Sequence, residues 1–132
     1  MYTTIDTSAL IAVIGNEALK QRIVELTIGA SLCAPTSVHW EIGNAFSAMF
    51  KRRALSVILA KQAITAYHEI PIRFVDVPLD AALEISHAQD IYAYDAYLIL
   101  CAQQTNSPLL TLDRGLGQVA KAMGVSLLEV KS

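Results

Sequence analysis

The sequence has few charged residues and no long apolar run. Asp, Glu, Lys and Arg make up only 17% of its 132 residues, against 54% hydrophobic residues and a mean hydropathy of +0.43. Intrinsic disorder is excluded, because disordered chains show the opposite balance. No apolar stretch approaches the roughly 18 to 20 residues of a transmembrane helix, so we expect no contact with a membrane. The length predicts one domain that spans residues 1–132.

Cysteines and targeting signals are also scarce. The two cysteines, Cys33 and Cys101, lie far apart and form no C-x-x-C motif. The N-terminus has no basic region, and Asp6 interrupts its short apolar stretch, so no signal peptide is predicted. We therefore expect buried, reduced thiols in a cytoplasmic protein. The clustered Cys and His residues of a zinc site are absent, as is a glycine-rich phosphate loop.

Basic residues do not dominate the charge balance. Ten Lys and Arg against 12 Asp and Glu give a net charge of −2, with a pI near 5.8. The strongly basic domain that is typical of nucleic-acid binders is therefore absent. The basic run Lys51-Arg52-Arg53 is interpreted first as the cationic end of a helix, and only second as a phosphate contact. With so few charges, the position of each acid becomes informative.

Short apolar runs alternate with longer helical patterns along the chain. The runs predict strands at 2–5, 31–34, 72–75, 109–111 and 125–130. The helical patterns predict seven helices. The third begins after a cap at Thr36 or Ser37 and ends at 51–53, and the others lie at 8–14, 17–28, 56–69, 79–88, 93–104 and 116–123. This alternation predicts an α/β fold with a parallel sheet of about four to five short strands, flanked on both faces by about six to seven helices.

Four acids fall where such folds place ligand sites, at the carboxyl ends of the strands. Asp6 directly follows the first predicted strand, and Asp113 follows the fourth. Glu41 lies one turn into the helix after the second strand. Asp95 lies at the start of an apolar helix, between aromatic and apolar neighbours. A carboxylate in apolar surroundings is costly unless it is paired with a cation.

Converging carboxylates would repel each other unless a hard divalent cation joined them. Mg²⁺ and Mn²⁺ favour oxygen ligands, and two such ions about 4 Å apart can activate a water in phosphodiester cleavage. A purely structural interpretation stands beside this one. Each of Asp6, Asp95 and Asp113 can be a helix N-cap, and Glu41 can face solvent. Spacing alone leaves both interpretations open.

The order of these motifs resembles the PIN domain over essentially the whole chain. The motifs are Asp6-Thr7-Ser8, Trp40-Glu41-Ile42-Gly43-Asn44-Ala45, Tyr94-Asp95-Ala96 and Leu110-Thr111-Leu112-Asp113. Within that family the sequence is similar to the VapC toxins of toxin–antitoxin pairs. The resemblance implies a three-layer fold and an Mg²⁺- or Mn²⁺-dependent endoribonuclease. It assigns metal binding and catalysis to an acidic quartet, with Thr111 beside a metal-bound water: Asp6, Glu41, Asp95 and Asp113.

The same resemblance implies partners. These are a VapB-type antitoxin, an RNA substrate and a second copy in a homodimer, with DNA contacted only through the antitoxin. Apolar residues on the third and fourth helices exceed what one small core absorbs, and exposed apolar grooves usually mark partner sites. We therefore predict a groove for an amphipathic antitoxin helix, formed by Phe46, Met49, Phe50, Ile58 and Leu59.

Two other functions compete with the ribonuclease. A response-regulator receiver has a similar size and alternation, with Asp76 after its third strand and Thr111 after its fourth. It should also carry an acidic pair after strand one and a lysine after the last strand, where this chain offers only Asp6 and the terminal Lys131. The other alternative is a catalytically silent PIN-like protein that only binds RNA or its partner.

Several residues near the acids could contact RNA. Trp40, Tyr92, Tyr94 and Tyr97 could stack on bases, although aromatics at helical spacing more often belong to a core or an interface. Arg114, beside Asp113, is the best-placed cation for a phosphate, although a surface ion pair would explain it equally well.

Overall fold

Residues 1–130 of this computed structural model form a four-stranded parallel sheet with seven helices. The strands are β1 (Tyr2–Ile5), β2 (Ser31–Pro35), β3 (Ile72–Val75) and β4 (Leu109–Leu110). The helices are α1 (Thr7–Ile14), α2 (Lys20–Thr27), α3 (Val38–Lys51), α4 (Val57–Glu69), α5 (Leu79–Gln89), α6 (Ala93–Thr105) and α7 (Arg114–Ala122). The predicted three-layer α/β fold with a parallel sheet is confirmed.

The sheet order is β3-β2-β1-β4, and every neighbouring pair is parallel. A receiver places its first strand between the second and the third. In this chain β1 lies between β2 and β4 instead, so the topology contradicts the receiver interpretation. Asp76 then follows the edge strand β3 rather than a central one, and Lys131 lies outside the described residues.

The core lies on both faces of the central strands. Thr4, Ile5, Leu109 and Leu110 are at most 2% exposed, as expected for strands that are covered on two sides. Helix α6 packs against β1, β2 and β4, whereas α1 contacts α2, α3 and α4. A smaller apolar cluster joins α5 to α6. No helix among residues 1–130 combines the length and apolar character that a membrane crossing requires.

Two local predictions are wrong. The strand predicted at 125–130 is reduced to one parallel bridge between Leu109 and Leu127, because β4 ends after two residues and offers little edge to pair with. Thr111 consequently lies in the loop after β4. Ser37 does occupy the N-cap position of α3, but its backbone is already helical (φ −57°, ψ −21°). A capping side chain needs an extended backbone, so the Ser37 hydroxyl makes no capping bond.

Candidate functional site

The four predicted acids lie at the N-terminal ends of four different helices. Asp6 is the N-cap of α1, and Asp113 is the N-cap of α7. Glu41 lies in the first turn of α3, and Asp95 lies in the first turn of α6. A helix that leads back into a parallel strand starts at the carboxyl edge of the sheet. This topology explains the position of Asp95, which follows no strand.

Asp6 is a buried carboxylate that is held from three directions. It is 3% exposed. Its Oδ1 accepts hydrogen bonds from the Ala9 N–H at 2.9 Å and the Ser8 hydroxyl at 2.7 Å, and its Oδ2 accepts one from the Thr111 hydroxyl. Burial raises the pKa of Asp6, and the neighbouring Asp113 adds to the rise. The three hydrogen bonds lower this pKa but do not outweigh burial.

The hydroxyls of Ser8 and Thr111 tie the β4–α7 loop to Asp6. Ser8 Oγ also accepts from the Leu112 N–H, and Thr111 Oγ1 accepts from the Asp113 N–H, each at 3.0 Å. Each hydroxyl therefore donates to the carboxylate while a backbone group fixes its own position. Ser8 is absent from the predicted site residues. The signal that could have found it is a serine two residues after a capping aspartate, where short polar side chains bond locally.

Glu41 carries a buried oxygen without a protein partner. Burial raises the pKa of Glu41, and the charges of Asp95 and Asp6 raise it further. The nearby Thr7 hydroxyl lowers this pKa, yet neither Thr7 Oγ1 nor Glu41 Oε1 completes a hydrogen bond within residues 1–130. An unsatisfied buried acceptor costs free energy, about 1 to 3 kcal/mol or more when it is charged.

Asp95 interacts electrostatically with two of the other acids, Asp113 and Glu41. Burial raises its pKa, and the charge of Asp113 raises it further. Since Asp113 also acts on Asp6, and Glu41 feels both Asp6 and Asp95, the four carboxylates share one neighbourhood. No lysine or arginine in the described part of the chain forms a salt bridge with any of them. Within residues 1–130, their negative charge is therefore not neutralised by a direct ion pair.

The capping interpretation explains two of the four acids. Asp6 caps α1, and Asp113 Oδ1 accepts from the Leu116 N–H at 3.2 Å. Tyr92 rather than Asp95 occupies the N-cap of α6. A helix N-terminus favours a negative charge and so lowers a carboxyl pKa. The pKa values of Asp6, Glu41 and Asp95 are nevertheless raised, first by burial and then by the charges of neighbouring acids.

The donor set fits a hard divalent cation in its chemistry. Carboxylate and hydroxyl oxygens are the ligands that Mg²⁺ and Mn²⁺ prefer, and Glu41 Oε1 is a buried oxygen still lacking a partner. As the side chains are placed, no three acidic, histidine or cysteine groups within residues 1–130 converge closely enough to hold one ion. The acids are neighbours, and their side chains would have to turn toward a common point.

Exposed aromatic rings adjoin two of the acids. Trp40, which precedes Glu41, is 70% exposed, and Tyr92, which precedes Asp95 by three residues, is 87% exposed. Tyr94 is partly exposed and packs edge-to-face on Tyr97 at 6.0 Å. Tyr97 is half-buried against the cluster between α5 and α6. Base stacking stays a prediction for Trp40, Tyr92 and Tyr94, whereas Tyr97 has a packing role.

The two groups of cations named from the sequence lie in different places. Lys51 is ten residues after Glu41 on α3, which is about 15 Å along the helix axis. The run 51–53 therefore lies at the C-terminal end of that helix, as its interpretation as a helix terminus requires. Arg114 is the first residue of α7, directly after Asp113.

The chain shares its sequence pattern and its fold with known proteins. The family model of the PIN domain matches residues 3–122, which include all four acids. No curated protein sequence matches the chain. PAE2754 from Pyrobaculum aerophilum is 21% identical with a TM-score of 0.73, over 98% of this chain and 90% of that one.

Two further solved structures are similar. VapBC2 from Rickettsia felis, solved with a DNA fragment from its promoter, is 12% identical with a TM-score of 0.68, over 97% of this chain and 98% of that one. VapC20 from Mycobacterium tuberculosis, a toxin that cleaves the sarcin–ricin loop, is 14% identical with a TM-score of 0.66, over 96% of this chain and 98% of that one. These likenesses show the fold, and the family model covers most of the sequence. The chain belongs to the PIN domain family.

Proposed function

We propose that this chain is an Mg²⁺- or Mn²⁺-dependent endoribonuclease and the toxin of a VapBC-type toxin–antitoxin module. The observation that carries the proposal is the group of four neighbouring carboxylates, three with raised pKa values and none in a salt bridge with a described cation. Proteins of the PIN domain family are nucleases. The similarity to VapBC2 and VapC20 supports the narrower assignment.

Each residue has a distinct role in this proposal. Asp6 and Asp95 hold the cation, and Glu41 and Asp113 complete the site. When bound, the cation would supply a positive charge for the phosphate and lower the pKa of an attacking water. The Thr111 hydroxyl keeps Asp6 in one orientation through the hydrogen bond that it donates. The Asp6 carboxylate, which is itself 3% exposed, thereby stays fixed.

Cleavage of RNA in Mg²⁺ by the purified chain tests the proposal. We expect Asp6→Asn and Asp95→Asn to lower the rate at least about 100-fold, the usual effect of losing a charged group that acts on the transition state. Glu25→Gln is the matched control, because Glu25 is an acid on α2 that pairs with Arg22 at 3.2 Å. Undiminished cleavage by both aspartate variants, or in EDTA, would refute these roles. RNA binding without cleavage by the wild type would favour the silent binding protein.

The antitoxin would bind the apolar groove between α1, α3 and α4. Ile58 is 71% exposed, Leu59 is 54% exposed and Phe50 is 37% exposed, although all three are apolar. Phe46 and Met49 line a cavity of about 370 Å³ together with Leu59, whereas Phe50 and Ile58 lie outside its lining. An amphipathic helix could lay its apolar face here. Co-purification with the product of the adjacent gene should be lost in Ile58→Glu, and full retention would place the antitoxin elsewhere.

A cytoplasmic location and a homodimer belong to the same proposal. Cys33 and Cys101 are both buried and unpaired, which suits a reducing compartment. Light scattering of the purified chain measures the oligomeric state, and a mass of one chain at all concentrations would argue against the dimer.

A further inference from the structure

One face of α7 presents cations directly beside the acid site. Arg114, Gln118 and Lys121 have the spacing i, i+4, i+7, which places them along one side of the helix. All three are exposed, whereas the opposite side of α7 is buried in the core. The same three side chains line a cavity of about 540 Å³ whose wall also includes Thr111 and Asp113. The cavity therefore joins this face to Asp113, one of the four acids, and to Thr111, which bonds a second one, Asp6.

Other cations of the chain are engaged or distant. Arg22 pairs with Glu25, and the Arg73 guanidinium lies 5.4 Å from the centre of the Tyr2 ring. The run 51–53 closes the far end of α3. Among the described residues, Arg114 and Lys121 are the cations that line this cavity, in a protein whose net charge is −2.

Folding does not explain the position of Arg114. The first residue of a helix lies at the positive end of the helix dipole, where a cation is disfavoured and an acid is favoured. Although Arg114 follows Asp113 in the chain, it forms no salt bridge within residues 1–130. Lys121 lies in the last turn, where a cation is favoured, so helix stability explains Lys121 but not Arg114.

We infer that Arg114, Gln118 and Lys121, the α7 basic face, bind the phosphate backbone of the RNA strand that enters the acid site. The inference rests on the proposed ribonuclease function and describes how its substrate is held. Arg114 and Lys121 are about 10 Å apart along the helix axis, so they contact different phosphates. Gln118 offers a neutral amide donor between them. Contacts to phosphates position the strand and carry no base specificity.

An acidic peptide could also bind a basic face, but we favour RNA as the partner of the α7 basic face. Asp113 and Glu129 both line the cavity, and their carboxylates would repel RNA phosphates and peptide carboxylates alike, so the choice of partner rests on the position of the cavity beside the acids. A nucleic-acid strand has to bring a phosphate to the acids in any case, so a path along α7 continues the same strand. Binding of an acidic peptide instead is one outcome of the test below.

Salt dependence of RNA binding tests this inference without any need for cleavage. We would measure the fluorescence anisotropy of a labelled single-stranded RNA in Mg²⁺, between about 50 and 200 mM salt. The Asp95→Asn background prevents turnover. Arg114→Gln should weaken RNA binding by the same factor whatever the RNA sequence, and so should Lys121→Gln. Each variant should reduce the steepness of log K against log salt by about 0.7. Arg114→Lys should restore the slope, since it keeps the charge.

Lys61→Gln is the matched control, because Lys61 is an exposed lysine on α4 and lines no part of this cavity. An unchanged slope in Arg114→Gln and Lys121→Gln would overturn the inference, as would an equal reduction in Lys61→Gln. Loss of binding to an acidic antitoxin peptide with an unchanged RNA slope would overturn it too. Failure of the ribonuclease proposal would appear separately, as an inactive wild type.

Discussion

Two polar clusters lie next to each other along β1, and they satisfy their hydrogen bonds differently. Thr4 is fully buried, and its hydroxyl bonds Ser107 Oγ at 2.7 Å and contacts Cys33 Sγ at 3.4 Å and Cys101 Sγ at 3.8 Å. Two residues later Asp6 is almost as buried, with three hydrogen bonds. Thr4 and Asp6 are therefore about equally buried, but Thr4 lies among hydroxyls and thiols, whereas Asp6 lies near other carboxylates.

The difference lies in what each cluster does with negative charge. Hydrogen bonds from Cys101 and the surrounding hydroxyls lower the pKa of Cys33, so a charge there would meet donors. Around Asp6 burial raises the pKa instead, and the nearest charged groups are other carboxylates. The first cluster completes the core by itself. The second contains carboxylates that form no salt bridge with a described cation, and raised carboxyl pKa values of this kind are typical of a functional site.

The largest difference between the two clusters should come from the loss of the Thr111 hydroxyl, which donates a hydrogen bond to Asp6. Thr111→Val removes the donor to Asp6 and should lower kcat/KM for RNA by about 10- to 100-fold, as loss of a supporting hydrogen bond does at metal sites. Thr65→Val is the control, since the Thr65 hydroxyl only bonds the Lys61 carbonyl on the surface of α4. Equal rates for wild type and Thr111→Val in a cleavage assay would remove Thr111 from the site.

The equivalent change in the other cluster should affect stability alone. Thr4→Val removes the hydroxyl that joins Ser107 and the two thiols, and we expect the free energy of unfolding to fall by about 1 to 2 kcal/mol. Urea denaturation measures this loss. Cleavage per folded molecule should stay at the wild-type value, and a selective loss of cleavage would mean that the Thr4 cluster is not purely structural.

In the metal-free protein, Asp6→Asn should raise the free energy of unfolding, whereas Thr4→Val should lower it. Asparagine also caps helices, so the bond from the Ala9 N–H can persist while the buried charge disappears. We expect the free energy of unfolding in EDTA to rise on the order of 1 kcal/mol, a common gain when a functional site is neutralised. A clear loss of stability, with Glu25→Gln unchanged beside it, would show that the negative charge of Asp6 stabilises the fold.

The smallest expected effect is the pH dependence of the metal-free protein. The folded-state pKa values of Asp6 and Glu41 lie above the ordinary 3.8 and 4.5. Their contribution to stability is full below those ordinary values and is lost as the pH rises through the raised ones, because the unfolded state binds fewer protons there. Urea denaturation in EDTA from about pH 4 upward should show this decline, and Asp6→Asn should reduce it. An equal decline in stability in the wild type and in Asp6→Asn would mean that other groups cause it.

The fold could be predicted because its signals are local. Apolar strands without alternation belong to a sheet that is covered on both sides, and Asp6, Ser56 and Asp113 begin helices as real side-chain caps. The placement of the acids at one edge of the sheet also followed from topology, since strand ends and the starts of return helices share that edge. The positions of Glu41 and Asp95 in the first turns of α3 and α6 follow from that topology and not from the residues next to them in sequence.

Other features depend on long-range geometry that no local pattern encodes. The bond from the Leu112 N–H to Ser8 joins residues 104 positions apart, and the partnerless Glu41 Oε1 depends on how α1 and α3 pack. The predicted last strand is reduced to the single bridge between Leu109 and Leu127, beside a strand β4 that is only two residues long.

The most direct test of the claim that the acids await a cation is a thermal unfolding titration with MgCl₂, which requires no RNA. The wild-type Tm should rise with Mg²⁺ toward the increment RT ln(1 + [L]/Kd), about 2.7 kcal/mol at a hundredfold excess over Kd. Asp95→Asn should lose most of this rise, while Glu25→Gln should keep it. A wild-type Tm that does not respond to Mg²⁺, or one that rises equally in Asp95→Asn, would contradict the claim.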